Sequence, residues 1–238
     1  MITAIITCMG RRSHLELTLS YAMREFDHVI VVDWSCPEKS GEFAESEGAR
    51  VVRKTGERYF SGSKAKNFGA SFATTEFLAF IDADTLCMPG LGSEIKSLMA
   101  PNRMVLSSRN FDGSDVNDTV GFLVVSREAF WSVGGFDESW GNRWGHEDTH
   151  LRGKLYLDAK LEVVRLERSM RLGALAHSNA LRETHREAPI KQTAVEGHYR
   201  LVDWFKSKGI EHYPNDERVK DIVFNPHTES NGERLRND

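Results

Sequence analysis

Two carboxylates one residue apart end an apolar run, Phe77-Leu78-Ala79-Phe80-Ile81-Asp82-Ala83-Asp84-Thr85. Charges held that close repel one another and raise at least one pKa unless a cation relieves them. Mg²⁺ or Mn²⁺ would do so, because such hard cations bind through one or two carboxylates plus substrate phosphates. The apolar run reads as a strand buried on both faces. Its carboxyl end is where open α/β sheets bind ligands. Taken alone, the pair fits equally a plain turn before a helix beginning near Pro89.

A second segment with chemical potential runs from Gly134-Gly135-Phe136-Asp137-Glu138 through Trp140 and Trp144-Gly145 to His146-Glu147-Asp148-Thr149-His150. Glycines let a backbone approach a ligand, and tryptophans offer flat faces suited to sugar rings. Glu147 and Asp148 fall in the first turn of a following helix, where they also complement its dipole. Either could act as a base toward a hydroxyl within hydrogen-bond reach. His146 and His150 match the H-E-x-x-H zinc pattern. That reading is set aside, since no apolar helix face or third ligand accompanies it and Asp82 and Asp84 would be left without a role.

The third segment, Ser61-Gly62-Ser63-Lys64-Ala65-Lys66-Asn67-Phe68-Gly69, opens a helix with cations at its start, as an anion site would. It lacks the P-loop order. Arg11 and Arg12, after Gly10, form a further basic pair near the same sheet edge. His177 ends a short apolar run and reads on its own as a structural histidine.

The elements that must hold these residues alternate. Strands are expected over 2–8, 27–33, 49–54, 76–81 and 103–108. Helices are expected over 13–25, 40–47, 63–73 and 89–99, with Ser13 and Glu16 forming a capping box. Such alternation predicts an α/β fold with a mostly parallel central sheet and flanking helices. The second half is less regular: a strand over 118–126, helices over 127–133 and 145–157, a strand over 171–177, and a long helix over 187–208 presenting Val195, Tyr199, Val202 and Phe205 on one side. The single domain is expected to divide into a regular half at 1–110, a less regular half at 111–213, and a polar tail at 214–238.

The 238 residues are 40 % hydrophobic and 28 % charged with a net charge of −4. That is a globular composition without the basic field that nucleic acid requires. No apolar stretch is long enough for a membrane span. Met1 leads straight into Ile2-Thr3-Ala4-Ile5-Ile6 without a positive leader. Cys8, Cys36 and Cys87 are scattered and lack zinc-site spacing, so reduced, packed thiols are expected. Together these predict a cytoplasmic protein, with peripheral attachment to an inner membrane left open.

Combined, the three segments resemble glycosyltransferases of the glycosyltransferase-A fold, close to family 2 and to the galactosyltransferase C-terminal type. Ile6-Thr7-Cys8-Met9-Gly10 with Val31-Val32-Asp33-Trp34-Ser35 looks like the nucleotide-binding start of that group. Lys64-Ala65-Lys66-Asn67-Phe68-Gly69 resembles its helix beside the nucleotide, and Asp82-Ala83-Asp84 its D-x-D motif. Gly134 to Asp148 is similar to its G-G-F-D-E…W-G-x-E-D segment. The resemblance implies a UDP-sugar donor, Mn²⁺ or Mg²⁺, a carbohydrate acceptor and inverting single displacement, and makes 1–110 the nucleotide-binding half and 111–213 the acceptor-binding and catalytic half. It implies Asp84, Asp82 and His177 as metal ligands, and Thr7, Asp33, Lys64, Asn67 and Asp82 around the nucleotide. Asp148 would be the base, with Glu147 at the acceptor beside Trp140, Trp144 and Gly145. Two other readings stay open at this stage: a sugar-nucleotide pyrophosphorylase, and a non-catalytic carbohydrate-binding protein of the same fold.

Overall fold

The computed structural model describes residues 1–109, 119–167, 171–176, 181 and 183–223. The first half alternates as its apolar runs require: β1 Ile2–Cys8, α1 Arg12–Glu25, β2 His28–Trp34, α2 Ser40–Ser46, β3 Arg50–Lys54, α3 Gly62–Ser71 and β4 Phe77–Asp82. There follow β5 Thr85–Cys87, α4 Leu91–Leu98, β6 Arg103–Leu106, β7 Leu123–Ser126 and α5 Arg127–Ser132. A 3-10 turn at Glu138–Trp140, α6 Glu147–Leu157, β8 Glu162–Arg165, β9 Leu172–Ala174 and α7 Ile190–Ser207 complete the described elements.

The main sheet has the order β3-β2-β1-β4-β7-β6-β8, and β5 pairs with β9 in a two-stranded ribbon. Only β7 runs against the rest: β4 and β6 both pair with it antiparallel, while β1–β2, β1–β4, β2–β3 and β6–β8 are parallel. Strand order reverses at β1, so the crevice at a switch point opens between the ends of β1 and β4. There Thr7 stands opposite Asp82.

Both faces of the sheet are covered, which is why its strands are continuously apolar rather than alternating. Ile5, Val32, Leu78, Phe80, Met104 and Val125 point to the face carrying Ala65 and Ala70 of α3, Leu151 of α6 and Leu201 of α7. Ile2, Ala4, Ile6, Val31, Ala79 and Ile81 point to the face carrying Leu15 and Leu19 of α1 and Leu91 and Ile95 of α4. Among the described residues no helix is long and apolar enough to cross a membrane.

Several expectations are corrected. The capping box at Ser13 does not form: α1 starts at Arg12 without a side-chain cap, and Glu16 instead accepts from Arg12 Nε at 2.8 Å. The long helix turns its Ile190, Ala194, Gly197, Leu201 and Phe205 edge inward, leaving Val195 and Tyr199 exposed. Of the side expected to be apolar, Phe205 is buried and Val202 packs against the core, whereas Gly197 takes the inward place that Val195 and Tyr199 do not. β5 and β8, four residues long or shorter, were not expected at all. Part of the expected polar tail belongs to the core, since Val219, Ile222 and Val223 are buried.

Candidate active site

The site forms where β1, β4, α3 and α6 converge. Asp82 ends β4 and Asp84 lies in the turn to β5. Thr85 Oγ1 accepts from the Asp82 N–H at 3.2 Å, pinning that turn. Gly121 lies so close that a Cβ there would sit 2.5 Å from Asp82 Oδ2. Arg11, just past the end of β1, brings its guanidinium within 3.6 Å of Asp84 Oδ2.

α3 supplies the central cation. Gly69 passes so close to Ile5 and Val32 that a Cβ would meet both side chains at 2.6 Å. The helix therefore lies against the sheet, and Lys66 on that face is 4 % exposed. Its Nζ donates to Asp148 Oδ1 at 2.7 Å. Burial opposes the lysine's charge, but Asp148, Asp82 and Glu147 outweigh it and hold the pKa above the ordinary lysine value. Burial pushes the Asp82 carboxyl up. Lys66 opposes that rise, the charges of Asp84 and Asp148 add to it, and Arg11 opposes it. Burial, then the neighbouring Asp148 charge, likewise raises Glu147, against Lys66 and Arg186.

The Gly134–Gly135 segment sets the entry to α6. Gly135 has φ +63°, and a Cβ on it would lie 2.7 Å from Asn67 Oδ1 and 2.9 Å from the Phe130 ring. Asn67 is clamped there: Phe136 N–H donates to its Oδ1 and its Nδ2 donates to Phe136 O, both at 2.9 Å. Lys154 of α6 donates to the carbonyls of Val133 and Gly135. These bonds fix α6 so that its first turn points Asp148 at Lys66.

The sequence-derived candidates fare unequally. Asp82, Glu147 and Asp148 are brought together around Lys66, and Asp84 lies beside Asp82 facing Arg11. Thr7 is buried beside Asp82 in register. Asp33 is mostly buried, its carboxylate accepting from the Cys36 N–H at 2.8 Å and the Gly41 N–H at 3.2 Å. It lines a pocket of about 200 Å³ with Ser35, Cys36, Lys39, Arg53 and Thr55. Lys64 is half-buried and, among the described residues, makes no ion pair. Asn67 spends its amide on the loop. Trp140, expected at an acceptor, is 2 % exposed, with its Nε1–H donating to His150 Nδ1 at 3.4 Å and Arg200 stacked over its ring. Trp144 and Gly145 are half-buried on the loop before α6. His177 lies outside the described residues.

The H-E-x-x-H pattern holds no zinc geometry. His150 packs between Trp140 and Trp204, while His146 meets His198. Burial drops both His146 and His150 to about 4.

Two features escaped the sequence reading. Of the two lysines that open α3, Lys66, which carried no separate role in the sequence, is the one that meets Asp148. The signal was available, because Lys66 shares a helix face with Gly62, Ser63, Gly69 and Ala70, whose small size marks close packing. Arg186 had no such signal. The Phe60 N–H donates to His185 O at 2.8 Å, carrying this segment onto the Gly10 turn, where a Cβ on Gly10 would collide with the His185 ring. The Arg186 guanidinium lies over the Phe60 ring at 4.9 Å. Burial lowers its pKa, and Glu147 and Asp82 lie near enough to oppose that.

Asp82 and Asp84 suit a hard divalent cation: they are oxygen donors, and burial with mutual repulsion raises Asp82 even with Lys66 and Arg11 nearby. Among the described residues no three His, Cys, Asp or Glu side chains form a complete ligand set.

Residues 3–144, more than half of the chain, match the family model described as glycosyl transferase family 2. The chain belongs to glycosyl transferase family 2. Its fold is similar to that of the mannosyltransferase PcManGT from Pyrobaculum calidifontis, solved with GDP-Man and Mn²⁺ (TM-score 0.61, 18 % identity over 93 % of this chain and 67 % of that one). It is also similar to residues 1–349 of S. aureus TarS, solved with UDP-GlcNAc (TM-score 0.63, 12 % identity over 100 % of this chain and 76 % of that one). At such identities the likeness shows the glycosyltransferase-A fold. No curated protein matches the chain in sequence. Glu147 and Asp148 lie just beyond the stretch that the family model matches.

Proposed function

We propose that this family 2 glycosyltransferase moves a hexosyl group from a UDP-sugar to a hydroxyl of a carbohydrate acceptor, with inversion, in a site that takes Mn²⁺ or Mg²⁺. The observation that carries the reading is the Lys66–Asp148 pair beside Asp82 at the carboxyl edge of the sheet. Asp148 accepts the proton of the attacking hydroxyl. Lys66 orients that carboxylate and keeps it from moving, and Asn67 and Lys154 hold the loop that aims it. The base of the nucleotide occupies the pocket beside Asp33. Arg11 and Arg186 face the carboxylates from the Gly10 turn and the 183–187 segment, where they meet the diphosphate. Asp82 and Asp84, with His177 as the third ligand, would hold the metal, which supplies charge stabilisation to the departing diphosphate. Glu147 binds the acceptor near Trp144 and Gly145.

The test is thermal denaturation with UDP and Mn²⁺, alone and together, followed by hydrolysis of a panel of UDP- and GDP-sugars. UDP with Mn²⁺ should raise the midpoint more than either alone. Asp84→Ala should remove that joint shift, and Asp148→Asn should keep it while turnover falls about 10²-fold or more. Normal turnover in Asp148→Asn would overturn the base assignment, and no shift with any nucleotide would overturn the donor class.

A further inference from the structure

The pocket beside Asp33 carries a second chemistry that sugar transfer does not use. Cys8 ends β1 and Cys36 follows β2, its parallel neighbour, in which Asp33 is the register partner of Cys8. The Asp33 carboxylate accepts the Cys36 N–H at 2.8 Å, folding the loop after β2 back toward β1. That brings the Cys36 sulfur against the chain just past Cys8, where the Gly10 N–H donates to it at 3.2 Å. Cys36 opens on the pocket with Lys39 and Arg53, whereas Cys8 lies wholly inside.

We propose that Cys36 is a peroxide-reactive thiolate and that Cys8 is its resolving partner, the two forming a reversible disulfide at the floor of this pocket. Donors around the Cys36 sulfur favour the thiolate. The Cys8 thiol does so most, burial opposes it, and the Gly10 N–H adds to it, bringing its pKa down to about 5. Cys8 is held well above its ordinary value by the same contact and by burial, and burial pushes Cys87 up to about 12. The three thiols are therefore unequal.

The oxidant is hydrogen peroxide or another hydroperoxide. The Cys36 thiolate attacks one peroxide oxygen, the O–O bond breaks, and hydroxide leaves, giving a sulfenic acid. The Cys8 sulfur then attacks the Cys36 sulfur, the S–OH bond breaks, and the Cys8 proton leaves with that oxygen as water. Two electrons pass from the two thiols to the peroxide, and a dithiol reductant reverses the change. The bond ties the end of β1 to the loop after β2 and pulls on Gly10, next to Arg11. On the proposed function, oxidation then also weakens nucleotide binding.

Full-length protein is treated with a small excess of hydrogen peroxide, quenched, alkylated and mapped by peptide mass spectrometry. The expected result is a Cys8–Cys36 cross-linked peptide, two hydrogens lighter than its halves, with Cys87 still alkylated and the link lost on adding dithiothreitol. In Cys8→Ser, dimedone should label Cys36. In wild type, short exposure to iodoacetamide should modify Cys36 at least about tenfold faster than Cys8 or Cys87. An unmodified Cys36, a link through Cys87, or equal alkylation rates would overturn the proposal, and the alkylation arm decides it even if Cys8→Ser does not fold. None of these readouts uses a nucleotide, so failure of the donor assignment leaves them intact. Loss of UDP binding on oxidation, restored by dithiothreitol, would tie the switch to the transferase.

Discussion

Lys66 is the residue on which the site's electrostatics turn. It is 4 % exposed and touches carboxylate at Asp148, with Asp82 and Glu147 close enough to raise its pKa. Removing one partner of a buried ion pair leaves the other charge uncompensated, at a cost of about 3–5 kcal/mol. Lys66→Met should therefore destabilise the protein by about 3 kcal/mol near neutral pH, since Asp148 retains some water contact. Asp82 and Glu147 already favour their protonated forms, so the penalty should shrink as the pH falls through the carboxylate range. Urea unfolding of both proteins at several pH values measures this, and a pH-independent difference would mean that packing, not charge, is what the lysine supplies. At the same scale, Gly121→Ala places a methyl against Asp82 Oδ2. It should leave unfolding nearly unchanged while weakening Mn²⁺ binding about tenfold or more in a calorimetric titration.

At the level of elements, α3 and α6 decide which residues meet. α3 can put a lysine between Asp148, Asp82 and Glu147 only because Gly69 lets it settle onto Ile5 and Val32. Overpacking a close helix–sheet contact costs about 1–3 kcal/mol. Gly69→Ala should cost that much in urea and also lower the affinity for UDP with Mn²⁺. If stability falls with no change in nucleotide binding, α3 is not what sets the site. The strands and helices of the first half were legible because apolar runs of five to seven residues alternate with amphipathic stretches. Asp82 and Asp84 were legible because a charged pair after such a run has few structural uses. What stayed hidden depends on the third dimension. Ser13 and Glu16 have the right spacing for a cap, but the chain enters α1 one residue earlier, where Glu38 Oε2 accepts the Arg12 N–H at 2.8 Å. Trp140 looked like a sugar platform because its type suits one. Only its packing against His150 and Arg200 shows it to be core. Arg186 reaches the site because the Phe60 N–H bonds to the carbonyl of its neighbour His185, and no spacing in the sequence encodes that contact.

Across the whole molecule, the same packing that aims Asp148 buries uncharged histidines behind it. His150 sits between Trp140 and Trp204, and His146 faces His198 of α7, so the α6–α7 layer is sealed by imidazoles that cannot easily take up a proton. Burial drops His150 and His146 to about 4. An unfolded chain protonates its histidines near the ordinary value, so between that value and about pH 4 the unfolded state binds more protons than the folded one. Stability must then rise with pH across this window and be lost as the pH falls through it. Each pKa unit is worth about 1.4 kcal/mol, which gives about 3 kcal/mol for His150 and less for the more exposed His146. Asp82 and Glu147 act in the opposite sense, being stabilised by protonation, so wild type alone cannot isolate the histidine term. His150→Gln retains an acceptor for Trp140 Nε1–H but does not titrate. Its stability difference from wild type should therefore be largest at neutral pH and narrow steadily toward about pH 4.5, because only wild type loses the histidine contribution. Urea midpoints at closely spaced pH values give that difference directly. Parallel curves would show that His150 takes up its proton without opening the α6–α7 layer.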